Sequence, residues 1–226
     1  MSFICDRSAS EYVQAAMLHS EATLVFIKKA EELLKSHPYE ITTGCSKLGI
    51  LIKKRANAVL REIHILSAYT RLKPYPEYLL VGECKTEHTT GFSIAKSLAR
   101  RFNGFIILVF TQSSYYIMTL RKDVPLFPKF NGKNQSSILK KVREYIRLHI
   151  KEYLSEDILL EDGEFLWEEY YETQFLEQRL NTRLFHRFIP KYVMEKANMK
   201  VEKNFYEKVT NKNKNNQTLD NYFEDN

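Results

Sequence analysis

Glu83-Cys84-Lys85 closes the apolar stretch YLLVGECK and is the triplet in this chain best suited to chemistry. Side chains two apart on a strand share a face, so Glu83 and Lys85 are expected to point together while Cys84 enters the opposite layer. A carboxylate beside an ammonium at a strand end suits phosphodiester chemistry. The carboxylate offers hard oxygens to a divalent metal, and the lysine orients or deprotonates water and offsets developing phosphate charge. Taken alone, Glu-x-Lys is also what a surface ion pair looks like. The YLLV run before it argues for a central strand instead.

Nineteen residues before Glu83 stands His64, in the segment Arg-Glu-Ile-His-Ile-Leu at 61–66, with Glu62 two positions before it. A helix through Ile94, Leu98 and Phe102 follows the triplet, then the strands FIILVF and YYIMTL. This order resembles the PD-(D/E)XK nuclease superfamily, the restriction-endonuclease-like fold that includes archaeal Holliday-junction resolvases. In that family a helical Glu, an Asp-bearing strand and a strand ending in Glu-x-Lys precede a helix. The resemblance covers about half the chain. It implies that Glu83 is an acidic metal ligand, Lys85 the catalytic lysine, Glu31 or Glu32 the helical Glu, and Lys96 a site-facing residue on the following helix. His64 stands where the Asp is expected. Imidazole suits Mn²⁺, Zn²⁺ or Fe²⁺ better than Mg²⁺, and Glu62 is placed to supply the missing carboxylate on the same strand face. The implied cofactor is a divalent metal, Mg²⁺ or Mn²⁺, if the site is catalytic. An active nuclease with an altered site, an inactive nuclease fold kept for DNA binding and a chance likeness all remain open.

Other chemistries find little support. Six histidines are scattered without a His-Glu-x-x-His arrangement, and there is no Cys-x-x-Cys pair, glycine-rich phosphate loop or nucleophile elbow. Cys5, Cys45 and Cys84 form neither a disulfide framework nor a zinc pattern, which fits a reducing interior.

Elements must position these groups. Ser8 or Ser10 with Glu11 marks a helix start, and steps of three and four from Val13 to Leu34 predict one long or slightly broken helix ending before His37-Pro38. Short β-type stretches are expected at 40–43, 48–53 and 58–68, and a turn or loop at 71–77. Strands are expected at 78–85, in FIILVF and in YYIMTL, with a helix from Thr90-Gly91 between the first two. The fold class is α/β, a mixed sheet flanked by helices, followed by a helical extension and a disordered tail. Domain limits fall at 1–128 for the nuclease-like body, 129–209 for the helical extension and 210–226 for the tail. Within the extension, SSILKKVREYIRLHIKEYL reads as an amphipathic helix, and helix continues through 156–177 and 178–208.

Charge follows these divisions. The chain of 226 residues carries 34 Lys and Arg against 28 Asp and Glu, net +6. Residues 1–150 hold 23 basic and 12 acidic side chains, residues 151–180 hold 2 and 10, and residues 181–226 hold 9 and 6. A basic body suits a polyanion, and equally an ordinary solvated surface. Lys53-Lys54-Arg55, Lys96 and Arg100-Arg101 are candidate DNA contacts. The acidic segment, interleaved with Phe165, Trp167, Tyr170, Tyr171 and Phe175, reads most simply as helix packing. It could also mimic DNA or dock a further replication or repair protein. No apolar run approaches the roughly 18–20 residues of a membrane span, and the first residues lack a signal-peptide layout. The expected setting is cytoplasmic and chromosome-associated, or nuclear in a eukaryote, with no membrane partner.

The tail carries the most specific pattern. After NKNKNN come Gln217, Leu219, Tyr222 and Phe223. These resemble the PCNA-interacting peptide, the sliding-clamp box Gln-x-x-aliphatic-x-x-aromatic-aromatic. Leu219, Tyr222 and Phe223 keep the mutual spacing, whereas Asn216 occupies the usual Gln position and Gln217 is displaced by one. Such spacing presents the three side chains on one side of a helical turn for an apolar pocket. A polar tether would raise their effective concentration at the clamp. The alternative is that they pack back on the body. The resemblances together imply a DNA-processing protein of replication or repair, recruited by PCNA, and either a nuclease or a non-enzymatic accessory factor.

Overall fold

A computed structural model describes residues 7–132, 134–150, 187 and 189–198. The clamp-like peptide, the acidic segment 156–177 and most of the expected extension, including nearly all of 178–208, lie outside the described residues. Among the described residues, no helix is long and apolar enough to cross a membrane.

Four helices open the chain. Helix α1 (Ala9–Met17) starts at Ser8, whose Oγ accepts from the Glu11 N–H while the Glu11 carboxylate accepts from the Ser8 N–H. After a break, Thr23 caps α2 (Leu24–Ser36). Pro38 opens α3 (Pro38–Thr43), which ends at Gly44 with φ of 72°. Ser46 then caps α4 (Lys47–Tyr69). Val13, Ala16, Ala30, Ile41, Ile52, Ala56 and Val59 close the core of this helical group.

The stretches 40–43, 48–53 and 58–68, expected as strands, are therefore helix. Within α4 the buried positions Ile52, Ala56, Val59, Glu62 and Leu66 recur at steps of three and four. That is one inward stripe of a 23-residue helix. Its β-branched clusters imitate strands only when each is read alone.

The sheet has strand order β1-β2-β3-β4: β1 (Leu72–Tyr75), β2 (Leu79–Glu83), β3 (Ile106–Phe110) and β4 (Tyr115–Thr119). β1 pairs antiparallel with β2, β2 parallel with β3, and β3 antiparallel with β4. Residues expected in a loop thus form β1, an edge strand, the position in a sheet that tolerates Pro74. Helix α5 (Gly91–Arg101) connects the parallel pair, as a crossover must. β3 is buried along its whole length, as a central strand covered on both faces should be.

Alternation divides the sheet's side chains between two layers. Leu80, Cys84, Ile107 and Val109 meet Ile94, Ala95 and Leu98 of α5, Leu66 of α4, and Met194 and Ala197 at α7 (Lys191–Lys196). Leu79, Ile106, Leu108 and Phe110 meet Val142 and Ile146 of α6 (Gln135–His149). Glu83 shares the α6 side and Cys84 the α5 side. Beneath the β1–β2 turn, fully buried Glu77 takes a bidentate pair from Arg143 and a second ion pair from Arg147, both on α6. The chain is α/β, with an open mixed sheet of four strands and helices against it.

Candidate functional site

β2 ends where two other parts of the chain arrive. The Glu83 carboxylate is exposed. It accepts from Gln135 Nε2 at 3.4 Å and from Asn198 Nδ2 at 3.3 Å. Gln135 opens α6, and Asn198 follows α7 with φ of 54°, a left-handed conformation that Asn tolerates. Arg71, Lys73 and Tyr75 from the β1 side, with Phe110, Leu139 and Ser136, complete a cleft of about 240 Å³ around that carboxylate. One step beyond the Leu72–Gly82 pair, Arg71 stands across from Glu83.

Lys85 is exposed, and its N–H donates to the Lys196 carbonyl at 2.7 Å, joining the chain after β2 to α7. Cys84 is buried on the other side of the sheet. Burial pushes its thiol up to about 12, with the Glu62 charge adding to the shift.

That other side holds a second constellation. Glu62 projects inward from α4 and accepts from Thr90 Oγ1 at 2.5 Å, from the Glu87 N–H at 2.7 Å and from the His88 N–H at 3.2 Å. The loop after β2 is thereby wrapped around one buried carboxylate. His88 stacks on His19 with ring centres 4.3 Å apart, and its Nδ1 accepts from the Ser20 N–H at 3.3 Å. The Thr89 N–H donates to the Leu18 carbonyl at 2.9 Å. Glu87 pairs with Lys196 at 2.5 Å, and this bond holds its carboxyl below the usual range.

Glu62, Glu87 and His88 offer donor atoms all within 4.8 Å of one another. Two carboxylates and an imidazole could hold a divalent ion such as Mn²⁺ or Zn²⁺. Each donor group already has a protein partner: the loop amides, the Lys196 ammonium and the Ser20 amide. The same contacts tie α4, the α1–α2 junction and α7 to the end of β2.

The residues singled out from the sequence are distributed widely. Glu31 and Glu32 are exposed on α2, and His64 is exposed on α4. Glu62 and His64 do not share a strand face, because both lie on a helix, where residues two apart point in different directions. Glu62 faces the loop and His64 the solvent. Glu83 and Lys85 end up at the sheet margin, and Glu83 belongs to no three-donor group among the described residues. Lys53 donates to the Thr42 carbonyl, and Arg55 pairs with Glu21 over the Phe26 ring, so both brace the helical group. Lys54 is exposed. Lys96 and Arg100 share an exposed stripe of α5 with Phe92, and Arg101 lies over the Phe102 ring.

Sequence reading missed Gln135, Asn198, Glu87 and Thr90. One signal was available: a Glu inside the otherwise apolar stripe of α4 requires buried donors. A family model described as a domain of unknown function, DUF4130, matches residues 32–197, and the chain belongs to that family. No curated protein and no solved structure matches it. The matched span runs from α2 to the end of α7 and so includes both constellations, apart from Asn198, His19 and Ser20.

Proposed function

We propose that this DUF4130 chain is a DNA-processing factor of replication or repair that grips nucleic acid at the end of β2. Its C-terminal peptide, with Leu219, Tyr222 and Phe223, would hook the sliding clamp PCNA. The accessory, non-hydrolytic form of this reading has the better support. The observation that carries it is the company Glu83 keeps: Arg71 and Lys73 share its cleft, whereas Glu32 and His64 stand elsewhere on exposed helix faces. In a restriction-endonuclease-like arrangement β1 would take the place of the Asp-bearing strand, and Leu72–Tyr75 contains no acidic residue. The order of β1, the Glu-x-Lys strand, a crossover helix and a parallel strand is compatible with that fold. Two cations beside one carboxylate favour holding a phosphate backbone over assembling a metal.

A second reading, a metal-dependent nuclease, draws on the 4.8 Å grouping of Glu62, Glu87 and His88. One experiment separates the two. Fluorescence anisotropy on labelled DNA is expected to show binding that weakens steeply with salt and is reduced in Arg71→Ala/Lys73→Ala. Plasmid nicking with Mg²⁺ or Mn²⁺ should be no greater for wild type than for Glu83→Ala, Lys85→Ala or Glu62→Gln. Nicking lost in any of these variants would establish the nuclease, and no DNA binding at low salt would end both readings. For the clamp, pull-down undiminished by Tyr222→Ala/Phe223→Ala would dispose of the hook.

A further inference from the structure

We infer that the cleft at the end of β2 is a subsite for one unpaired guanine, presented by a single strand or by a free guanine nucleotide. This deepens the reading of that cleft as a nucleic-acid contact and, for the single strand, rests on it. Size is the first argument. At about 240 Å³ the cleft falls below the roughly 300–1,000 Å³ typical of drug-sized pockets, which leaves room for one heterocycle. Its apolar lining comes from the partly exposed Leu139, while Arg143 lies over the Tyr75 ring and Phe110 is nearly fully buried, so a flat ring meets aliphatic surface there.

Hydrogen-bond chemistry narrows the ligand. An ionised carboxylate is acceptor-only, with two oxygens in one plane. It is complementary to two adjacent donors. Among the common bases, guanine alone presents two adjacent donors on its Watson–Crick edge, N1–H and the N2 amino group. Cytosine and adenine place a ring acceptor beside their amino group, and thymine flanks its single N–H with two carbonyls. Guanine O6, next along the same edge, needs a donor, and the Gln135 and Asn198 carboxamides flank Glu83 on its two oxygens.

Those bonds measure 3.4 and 3.3 Å, at or beyond the long end of ordinary N–H···O bonds, so a ligand can displace them at small cost. They occupy two of the roughly four acceptor sites of the carboxylate and leave the others open. Arg71 and Lys73, on the same cleft wall, are the groups for the phosphate attached to that base. A duplex cannot offer this edge, which is already paired. The subsite therefore requires a single strand, a flipped nucleotide or a free one.

The test uses the full chain and labelled ten-residue oligothymidylates carrying one central guanine, adenine or cytosine, with GMP and TMP as competitors. The guanine strand should bind about tenfold more tightly than the all-thymine strand, within the range a bidentate base contact gives. GMP should compete and TMP should not. Glu83→Gln replaces one acceptor oxygen with a donor and should abolish the preference, with its circular dichroism and melting temperature unchanged. Equal affinity for all four strands would overturn the guanine subsite while leaving DNA binding standing. So would a preference that survives in Glu83→Gln. GMP binding that depends on Glu83, with no oligonucleotide bound, would keep the subsite and assign it to a free nucleotide, and would overturn the nucleic-acid reading.

Discussion

Glu62 and Thr90, 28 positions apart, meet through a 2.5 Å hydrogen bond from the threonine hydroxyl to a carboxylate buried under the loop after β2. The same carboxylate takes the Glu87 and His88 amides, so a single side chain of α4 shapes the segment between the Glu-x-Lys strand and α5. Hydrogen bonds to a charged acceptor contribute about 1.5–3 kcal/mol each, and a buried donor left unpaired costs about 1–3 kcal/mol. Glu62→Ala should therefore lower unfolding free energy by about 3 kcal/mol in urea titration. Thr90→Val should cost about 1–2 kcal/mol. A loss below 0.5 kcal/mol, the ordinary range for surface substitutions, would show that Glu62 does not organise the loop.

Glu77 supplies the acid limit of the fold. Burial opposes its ionisation, yet bonds from Arg143 and Arg147 outweigh that and hold its carboxyl below its ordinary value of 4.5. A lowered carboxylate contributes stability that is fully present above the ordinary value and is lost as pH falls through the folded one. Melting temperature should thus be level above pH 5 and drop below about pH 4.5. Arg143→Ala should cost about 3–5 kcal/mol, because it leaves a fully buried charge with the partly exposed Arg147 as its remaining cation. It should also flatten the acid limb. An unaltered limb in that variant would assign acid sensitivity elsewhere.

Strands β2, β3 and β4 are legible in the sequence because each is a short apolar run bounded by turn residues, and α5 because Ile94 and Leu98 recur at helical spacing after Thr90-Gly91. Helix α4 is not, because Ile50–Ile52 and Ile63–Ile65 resemble strand fragments and Glu62 interrupts the apolar stripe that would have joined them. Pro74 and Pro76 concealed β1, since edge-strand tolerance of proline is a property of the sheet and not of the segment. Glu83 was placed correctly at a strand end. Its partners were not visible: Gln135 and Asn198 lie 52 and 115 residues away, and no periodicity links a carboxamide to a distant carboxylate. His64 joins a metal set only if 58–68 is a strand, and that segment is part of α4.

The stacked His19 and His88 rings make the joint between the α1–α2 turn and the loop after β2 sensitive to acid. Burial, then His88 and Arg55, hold His19 below its ordinary value of 6.5, against the smaller pull of Glu21 and Glu62. The folded chain therefore binds a proton less readily than the unfolded one, and this contribution to stability is lost as pH falls below 6.5. Exchange protection of the Ser20 and Thr89 amides, corrected for intrinsic rate, should decline between pH 7.5 and 5.5. In His19→Phe the ring contact persists without the charge, and the decline should shrink. Protection that is level across this range would mean that the joint tolerates an imidazolium.

Metal addition tests whether Glu62, Glu87 and His88 form a latch or an ion site. A ligand that binds only the folded state raises stability by about 2.7 kcal/mol at a hundred times its dissociation constant. A metal would have to displace the Lys196 ammonium from Glu87 and compete with the amides that occupy Glu62. Mn²⁺ or Zn²⁺ at 100 μM, a concentration of about that multiple for a micromolar site, should accordingly leave the melting temperature unchanged within about 1 °C. Lys196→Met removes the competing cation and leaves the Glu62 bonds in place, so a metal-dependent rise confined to that variant would identify the ammonium as the occupant of the ion's position. A rise of several degrees in wild type, lost in Glu62→Gln, would instead make the group a metal centre and move the balance toward hydrolysis.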